Sequence, residues 1–280
     1  MQAEEANFTF VHFTDTHMMA GATFTLSDSA WEVDTQATLE RVIRAINALQ
    51  PQPVFVVIGG DLSSPDLIDR SRCLTSEAYE PSYRLLQQTL EPLNCPVYML
   101  MGNHDDRAAF HRVMQHAVVS PDAPHYFSFN HDGYHFIGLD TQEPGKPGGY
   151  VDAQQLDWLR DDLLAHRGVP TLTFMHHHPW PVDIDWLDVQ HLRNGDDLVH
   201  LFRDHGDVRW MICGHVHLEQ NIQRDGLTQL TSPSTCFQIS QVSQTRKIFA
   251  GPPGFRVVRV KGLQLSTQVL YLHDDRDDAL

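Results

Sequence analysis

Val54-Phe55-Val56-Val57-Ile58-Gly59-Gly60-Asp61 is a continuous apolar run that stops at two glycines and a carboxylate. Such a run reads as a parallel strand buried on both faces. The glycines let the backbone turn sharply, which predicts Asp61 at the carboxyl end of that strand. Four other apolar runs end in the same manner. Phe8 to Phe13 ends at Asp15-Thr16-His17, and Pro96 to Met101 at Gly102-Asn103-His104-Asp105. Thr171 to Met175 ends at His176-His177-His178-Pro179, and Val208 to Ile212 at Cys213-Gly214-His215-Val216-His217. In open α/β sheets, ligands bind beyond the carboxyl ends of the strands, so five such ends can converge on one spot.

Helical patterns lie between the strands. Leu39, Val42, Ile43, Ile46 and Leu49 recur at helical spacing until Pro51 and Pro53 stop them. Further helices are expected over about 77–90, around Leu156, Leu159, Leu163 and Leu164, and over about 196–204. A hairpin is expected where 126–129 and 134–139 flank the polar turn Asn130-His131-Asp132-Gly133. Residues 218–272 read as short β-strands. No repeat, low-complexity tract or linker interrupts the chain, so one α/β domain over 1–280 is expected, with 218–273 its β-rich completion.

Acidic residues outnumber basic ones 36 to 20, for a net charge of −16. That balance disfavours a nucleic-acid groove and polybasic membrane attachment. No apolar run approaches the ~20 residues that span a bilayer. Met1 to Thr9 carries Glu4 and Glu5 but no Lys or Arg, unlike a signal peptide's basic start. Cys73, Cys95, Cys213 and Cys236 are too widely spaced for a disulfide framework or a metal knuckle, and read as small buried hydrophobes in a reducing cytoplasm. Asn7-Phe8-Thr9 is read as a chance sequon. Composition is compatible with a monomer or a homo-oligomer.

The anomaly is histidine, with 18 residues. Asp15 and His17 are two apart, as are His215 and His217, so in extended chain each pair can reach one ion. Asn103 and His104 are adjacent and should serve different targets. Of His176, His177 and His178, at most two should ligate. Taken singly, the motifs have plainer readings: Asp15-Thr16-His17 as an ordinary turn, Gly-Asp as a turn, the triple histidine as a solvated cluster. Taken together, the eight positions are too many for one ion and suit two. Carboxylate, carboxamide and imidazole without thiolate suit Mn, Fe or Zn. Two ions about 3.5–4 Å apart clamp a displacement at phosphorus. One carboxylate must bridge them, and Asp61, alone on its loop, is the candidate.

In this order the motifs resemble those of the calcineurin-like metallophosphoesterase superfamily. Ser232 to Gln238, Gly251 to Arg256, Trp186-Leu187-Asp188 and His191 to Asn194 resemble the bacterial class III cyclic-nucleotide phosphodiesterases, specifically the 3′,5′-cyclic AMP branch. The stretch from Leu62 to Glu80 departs from it. The resemblance implies a four-layer α/β/β/α sandwich with two mixed sheets. It implies one metal on Asp15, His17, Asp61 and His217, and another on Asp61, Asn103, His176 and His215. It also implies that His104 contacts the phosphate. Two divalent or trivalent ions, Fe or Mn first and Zn next, would polarise a phosphodiester while water between them attacks phosphorus in line. His104 would stabilise the equatorial charge or protonate the departing oxygen.

Expected substrate contacts are Asn103, His104, His178, His191, Arg193 and Asn194, the last four in a loop with Trp180 and Trp186. A packed, partly solvated loop is the alternative there. Arg193 offers a fork of donors for a phosphate. His177 is expected to support the site or pack against it, and His12 to be a satisfied core histidine. His111, His116, His125, His131 and His135 are expected to be structural or surface residues. The expected substrate is a 3′,5′-cyclic nucleotide. Two alternatives are a broad phosphodiesterase for glycerophosphodiesters, 2′,3′-cyclic nucleotides or aryl diesters, and a silent binding module that should lack part of the ligand set. No G-x-S-x-G elbow or P-loop lysine motif occurs.

Overall fold

Strand β1 (Asn7–Phe13) sends Phe8 and Phe10 to one core and Val11 and Phe13 to another, because successive side chains face opposite ways. The computed structural model describes residues 5–25, 32–67, 74–115, 118, 120–241 and 248–273. After β1 come β2 (Phe24–Thr25), β3 (Glu32–Val33), α1 (Thr35–Asn47), β4 (Val56–Ile58), α2 (Ser76–Leu90) and β5 (Val97–Met99). Next are α3 (Arg107–Met114), the hairpin β6 (Phe127–His131) and β7 (Tyr134–Gly138), α4 (Ala153–Ala165) and β8 (Thr171–Met175). Helices α5 (Asp185–Asp188) and α6 (Gly195–His205) precede β9 (Val208–Cys213), β10 (Gln220–Arg224) and β11 (Leu227–Thr231). The described chain closes with β12 (Gln238–Ile239), β13 (Ile248–Phe249), β14 (Gly254–Lys261) and β15 (Gln264–Tyr271).

Two sheets result, ordered β15-β14-β1-β4-β5 and β10-β11-β9-β8-β7-β6. Strands β1, β4 and β5 run parallel, as do β7, β8, β9 and β11, while β14, β15, β6 and β10 pair antiparallel with their neighbours. Between the sheets lie Phe8, Phe10 and Phe55 against Phe136, Phe174 and Ile212. The far face of the first sheet buries Leu39, Val42 and Ile46 of α1, Tyr83 and Leu86 of α2, and Phe110 of α3. The far face of the second buries Leu159 and Leu163 of α4 and Leu198 and Phe202 of α6. The layers are therefore α/β/β/α. Asp34, Asp106 and Asp152 each cap a helix by accepting from a backbone N–H of its first turn, about 1 kcal/mol apiece. Buried Arg256 links the sheets, donating to Thr231 O in the second and Thr267 Oγ1 in the first.

Several elements differ from the sequence expectation. The hairpin turn has two residues, not four: His131 pairs with Tyr134, and Asp132 and Gly133 take φ of 49° and 81°, the mirror-image turn that fits strand twist. Helices α3 and α5 were not expected. Strands β14 and β15 are eight residues long rather than short. Cys73 and His116 lie outside the described residues, while Cys213 and Cys236 are buried and free. Among the described residues, no helix is long and apolar enough to cross a membrane.

Candidate metal centre

The loops after β1, β4, β5, β8 and β9 meet at one edge of the two sheets. Asp15, His17, Asp61, His215 and His217 adopt φ of 56°, 44°, 50°, 67° and 50°. They are five of the nine non-glycine residues with positive φ among the described ones. Such conformations cost about 1–3 kcal/mol each and persist only where surrounding structure imposes them. Close approach is also imposed: a Cβ on Gly102 would lie 2.2 Å from Asp61 Oδ1.

Asp15, His17 and His217 form one cluster. His217 Nε2 is 3.1 Å from Asp15 Oδ1 and 3.2 Å from His17 Nε2. His217 Nδ1 faces Phe237 O at 2.7 Å and therefore carries the hydrogen, which leaves Nε2 as a lone pair. His17 Nδ1 bonds Ser64 Oγ at 2.7 Å. Asp15 Oδ2 accepts from Thr14 Oγ1 and from the His215 N–H, whereas Oδ1 is buried without a hydrogen-bond partner. Lone pairs and an unpaired carboxylate oxygen turned on one point fit a cation.

A second cluster lies beside it. His176 Nε2 is 3.2 Å from Asn103 Oδ1 and 3.4 Å from Asp61 Oδ2, and its Nδ1–H donates to Gly59 O at 2.7 Å. The His215 ring is 5.1 Å from that of His176, and its buried Nε2 has no hydrogen-bond partner. Asp61 stands between the clusters. Its Oδ2 is 3.4 Å from His176 Nε2 and 3.9 Å from His17 Nε2, while Oδ1 accepts from the His104 N–H at 2.8 Å. His177 is close enough to join, but its two ring nitrogens are engaged by Thr141 Oγ1 and Pro147 O. The donor set thus suits borderline divalent ions.

Burial and charge set the protonation of these groups. Burial pulls His17 down to about 3. Burial also opposes charge on His176, but Asp61 and Asp15 outweigh it and raise that ring to about 9. Asp61 resists burial because His176, His104 and His17 surround it, and falls well below the usual carboxylate range. His104 is likewise raised to about 9, with burial outweighed by Asp61 and Asp66.

His104 Nδ1 bonds Asp66 Oδ2 at 2.6 Å, and the side chain is one-quarter exposed. It borders a cleft of about 730 Å³ lined also by Asp66, Tyr79, Asn103, Arg107 and Lys146. Arg107 is held at the wall by Asp140 Oδ2 at 3.0 Å and Gln142 O at 2.8 Å. Asp105 ties the loops together, accepting from the N–H groups of Gly102, Leu62 and Ser63 and from Tyr83 Oη. Asp66, Asp105, Arg107 and Gln142 were missed as supports. Asp105 stood in a motif with no part assigned, and Asp66 lies in the stretch that departs from the family pattern.

The four expected loop contacts lie as follows. His178 is fully buried, 3.6 Å from Asp188 and with its ring 5.9 Å from that of His215, and neither of its ring nitrogens has a hydrogen-bond partner. Asn194 spends its amide on the Val151 backbone. His191 Nδ1 bonds Asp188 O, and Arg193 pairs with Glu143 at 2.9 Å over the Tyr150 ring. None of the four lines the cleft beside His104. His12 bonds Ser232 Oγ through Nδ1 but leaves buried Nε2 without a partner, so it is only half satisfied.

The chain is 29% identical over 275 residues to the 3′,5′-cyclic adenosine monophosphate phosphodiesterase CpdA of Escherichia coli, covering 98% of this chain and 93% of the relative. It is 30% identical over 257 residues to a 3′,5′-cyclic-nucleotide phosphodiesterase of Nostoc, covering 92% and 89%. A dimetal phosphatase from Danio rerio shares the fold with a TM-score of 0.67 at 15% identity, covering 93% of this chain and 98% of that one. The Plasmodium protein GAP50, an anchor in the inner membrane complex, shares it at 0.56 and 10% identity over 95% and 85%, so fold alone does not assign activity. Residues 8–219 match the calcineurin-like phosphoesterase family model. With the ligand-capable side chains gathered at one edge, the chain belongs to the calcineurin-like phosphoesterase family, as a metal-dependent enzyme acting on phosphoric esters.

Proposed function

We propose that this chain hydrolyses 3′,5′-cyclic AMP to 5′-AMP at a dinuclear centre. One ion would sit on Asp15, His17, Asp61 and His217, the other on Asp61, Asn103, His176 and His215. The observation that carries this reading is the position of Asp61 Oδ2 between His176 Nε2 and His17 Nε2, at 3.4 and 3.9 Å. Iron or manganese fits the donors best and zinc next. Cations held there would polarise the phosphoryl oxygens and lower the pKa of water.

The chain's own residues do the rest. In ring opening, the oxygen of water joins phosphorus, the P–O3′ bond breaks and O3′ takes a proton. His104 supplies that proton or neutralises charge on an equatorial oxygen. Asp66 holds Nδ1, which turns the rest of the ring to the cleft. Arg107 is fixed at the wall of that cleft to meet an anion. The names of the relatives support the substrate. The free, buried Cys213 and Cys236 suit a reducing cytoplasm.

A second reading, a broad phosphodiesterase, draws support from the cleft, whose Asp66 and Tyr79 walls come from the divergent stretch. The turnover ratio of 3′,5′-cyclic AMP to bis(p-nitrophenyl) phosphate and glycerophosphocholine decides. A clear preference for the cyclic nucleotide is expected; faster turnover of the other two would favour the broad reading.

A further inference from the structure

Two permanently charged cations line the cleft beside His104, Arg107 and Lys146. Arg107 is one-tenth exposed and fixed by Asp140 and by Gln142 O. Lys146 is of a different kind. Its side chain is 55% exposed, and it stands on a loop over 142–149 that is pinned at both feet. At one foot, Gln142 donates its amide to Gly102 O and accepts at its carbonyl from Arg107. At the other, Pro147 O faces His177 Nε2 at 3.2 Å, and Gly149 O accepts from the Arg193 N–H at 2.9 Å. Between the feet the apex closes its own turn, Lys146 N–H to Glu143 O at 3.0 Å. Gly145 makes that turn at φ 74°, with open space where a Cβ would stand.

At the apex one carboxylate serves two cations. Glu143 Oε1 accepts from Lys146 Nζ, and Oε2 accepts from Arg193 Nη2 at 2.9 Å. Arg193 is also held by the Tyr150 ring, 4.7 Å from its centroid. The trio therefore carries one uncompensated positive charge, in a chain whose net charge is −16. An exposed ion pair of this kind contributes little. Glu143 keeps Arg193 when Lys146 departs, so Lys146 can turn to an anion in the cleft without stranding a carboxylate.

We propose that Lys146 is a substrate-binding residue: its ammonium exchanges Glu143 for the anionic phosphate group of a ligand in the cleft, while Arg193 holds Glu143 in place. This rests on the cleft's being where a phosphoric ester binds. Lysine suits such an exchange, because its four-carbon stem swings and its three donors rotate about a compact charge. Arg193, expected from the sequence to meet the phosphate itself, acts instead as a positioning residue through Glu143. Without Arg193, Glu143 would have Lys146 as its counter-ion and would hold the ammonium back from the ligand.

The test is calorimetric binding of 5′-AMP to the manganese-loaded full chain, beside steady-state hydrolysis of bis(p-nitrophenyl) phosphate. Lys146→Met keeps most of the stem and removes the charge. It should raise the Kd of 5′-AMP and the KM of the diester by roughly 10-fold, with kcat within about twofold and metal content unchanged. Added salt should shrink that difference, because it screens an exposed charge. Arg193→Gln should raise the Kd about threefold. Glu143→Gln in the same chain should cancel that rise, and in the Lys146→Met chain Arg193→Gln should have no effect, as for residues of one network. An unchanged Kd in Lys146→Met, or an Arg193→Gln effect that persists in the Lys146→Met chain, would overturn the proposal. So would a wild-type chain that binds no 5′-AMP. Failure of the proposed function looks different: wild type would leave 3′,5′-cyclic AMP intact while the pattern of Kd values among the variants held.

Discussion

His104 Nδ1 lies 2.6 Å from Asp66 Oδ2, and the His104 N–H reaches Asp61 Oδ1 at 2.8 Å. One residue therefore touches both a carboxylate of the candidate metal centre and a carboxylate of the cleft wall. If Asp66 fixes the tautomer and keeps the ring charged, Asp66→Asn should lower kcat on a diester by roughly 10-fold to 100-fold and spare metal content. The check is steady-state kinetics beside metal analysis of the same sample. Unchanged kcat would remove Asp66 from the mechanism.

His104→Ala should keep the metals but lose roughly 100-fold to 1,000-fold in turnover, the range of a lost general acid. Its Nε2 makes no bond to the ligand clusters, and the backbone N–H that supports Asp61 survives the substitution. Loss of metal together with activity would assign His104 to the metal centre instead.

Gly102→Ala tests the close approach of the loops after β4 and β5. The new Cβ would meet Asp61 Oδ1 at 2.2 Å and Asp61 N at 2.3 Å, backbone as well as side chain. The loops must part, at a cost of about 2 kcal/mol by the usual range for overpacking. A lower melting temperature and weaker metal retention are expected; a melting temperature equal to wild type would show that the loops have slack.

The strand ends were legible because their chemistry is local. Val56 to Ile58 is apolar on both faces, and Gly59-Gly60 marks where the backbone turns. The same holds for Thr171 to Met175, whose bounds match the strand. Helix α3 was not legible: its eight residues hold Ala108, Ala109, Phe110 and Val113, too short a stretch to display a period. The hairpin turn was overcounted because Asn130 and His131 are polar, yet they pair in the ladder, and Asn130 faces His135 and His166. Asp66 and Asp105 act through contacts that only the folded chain creates, with Asp105 joining Leu62, Gly102 and Tyr83 across some forty residues. In the loop from Trp180 to Asn194, Asn194 spends its amide on the Val151 backbone, a contact across some forty residues that no local sequence pattern displays.

Anomalous diffraction from crystals loaded with manganese or iron tests the central claim most directly. Two peaks should flank Asp61, about 3.5–4 Å apart, one against Asp15, His17 and His217 and the other against Asn103, His176 and His215. A single peak, or two peaks that do not share Asp61, would contradict the account.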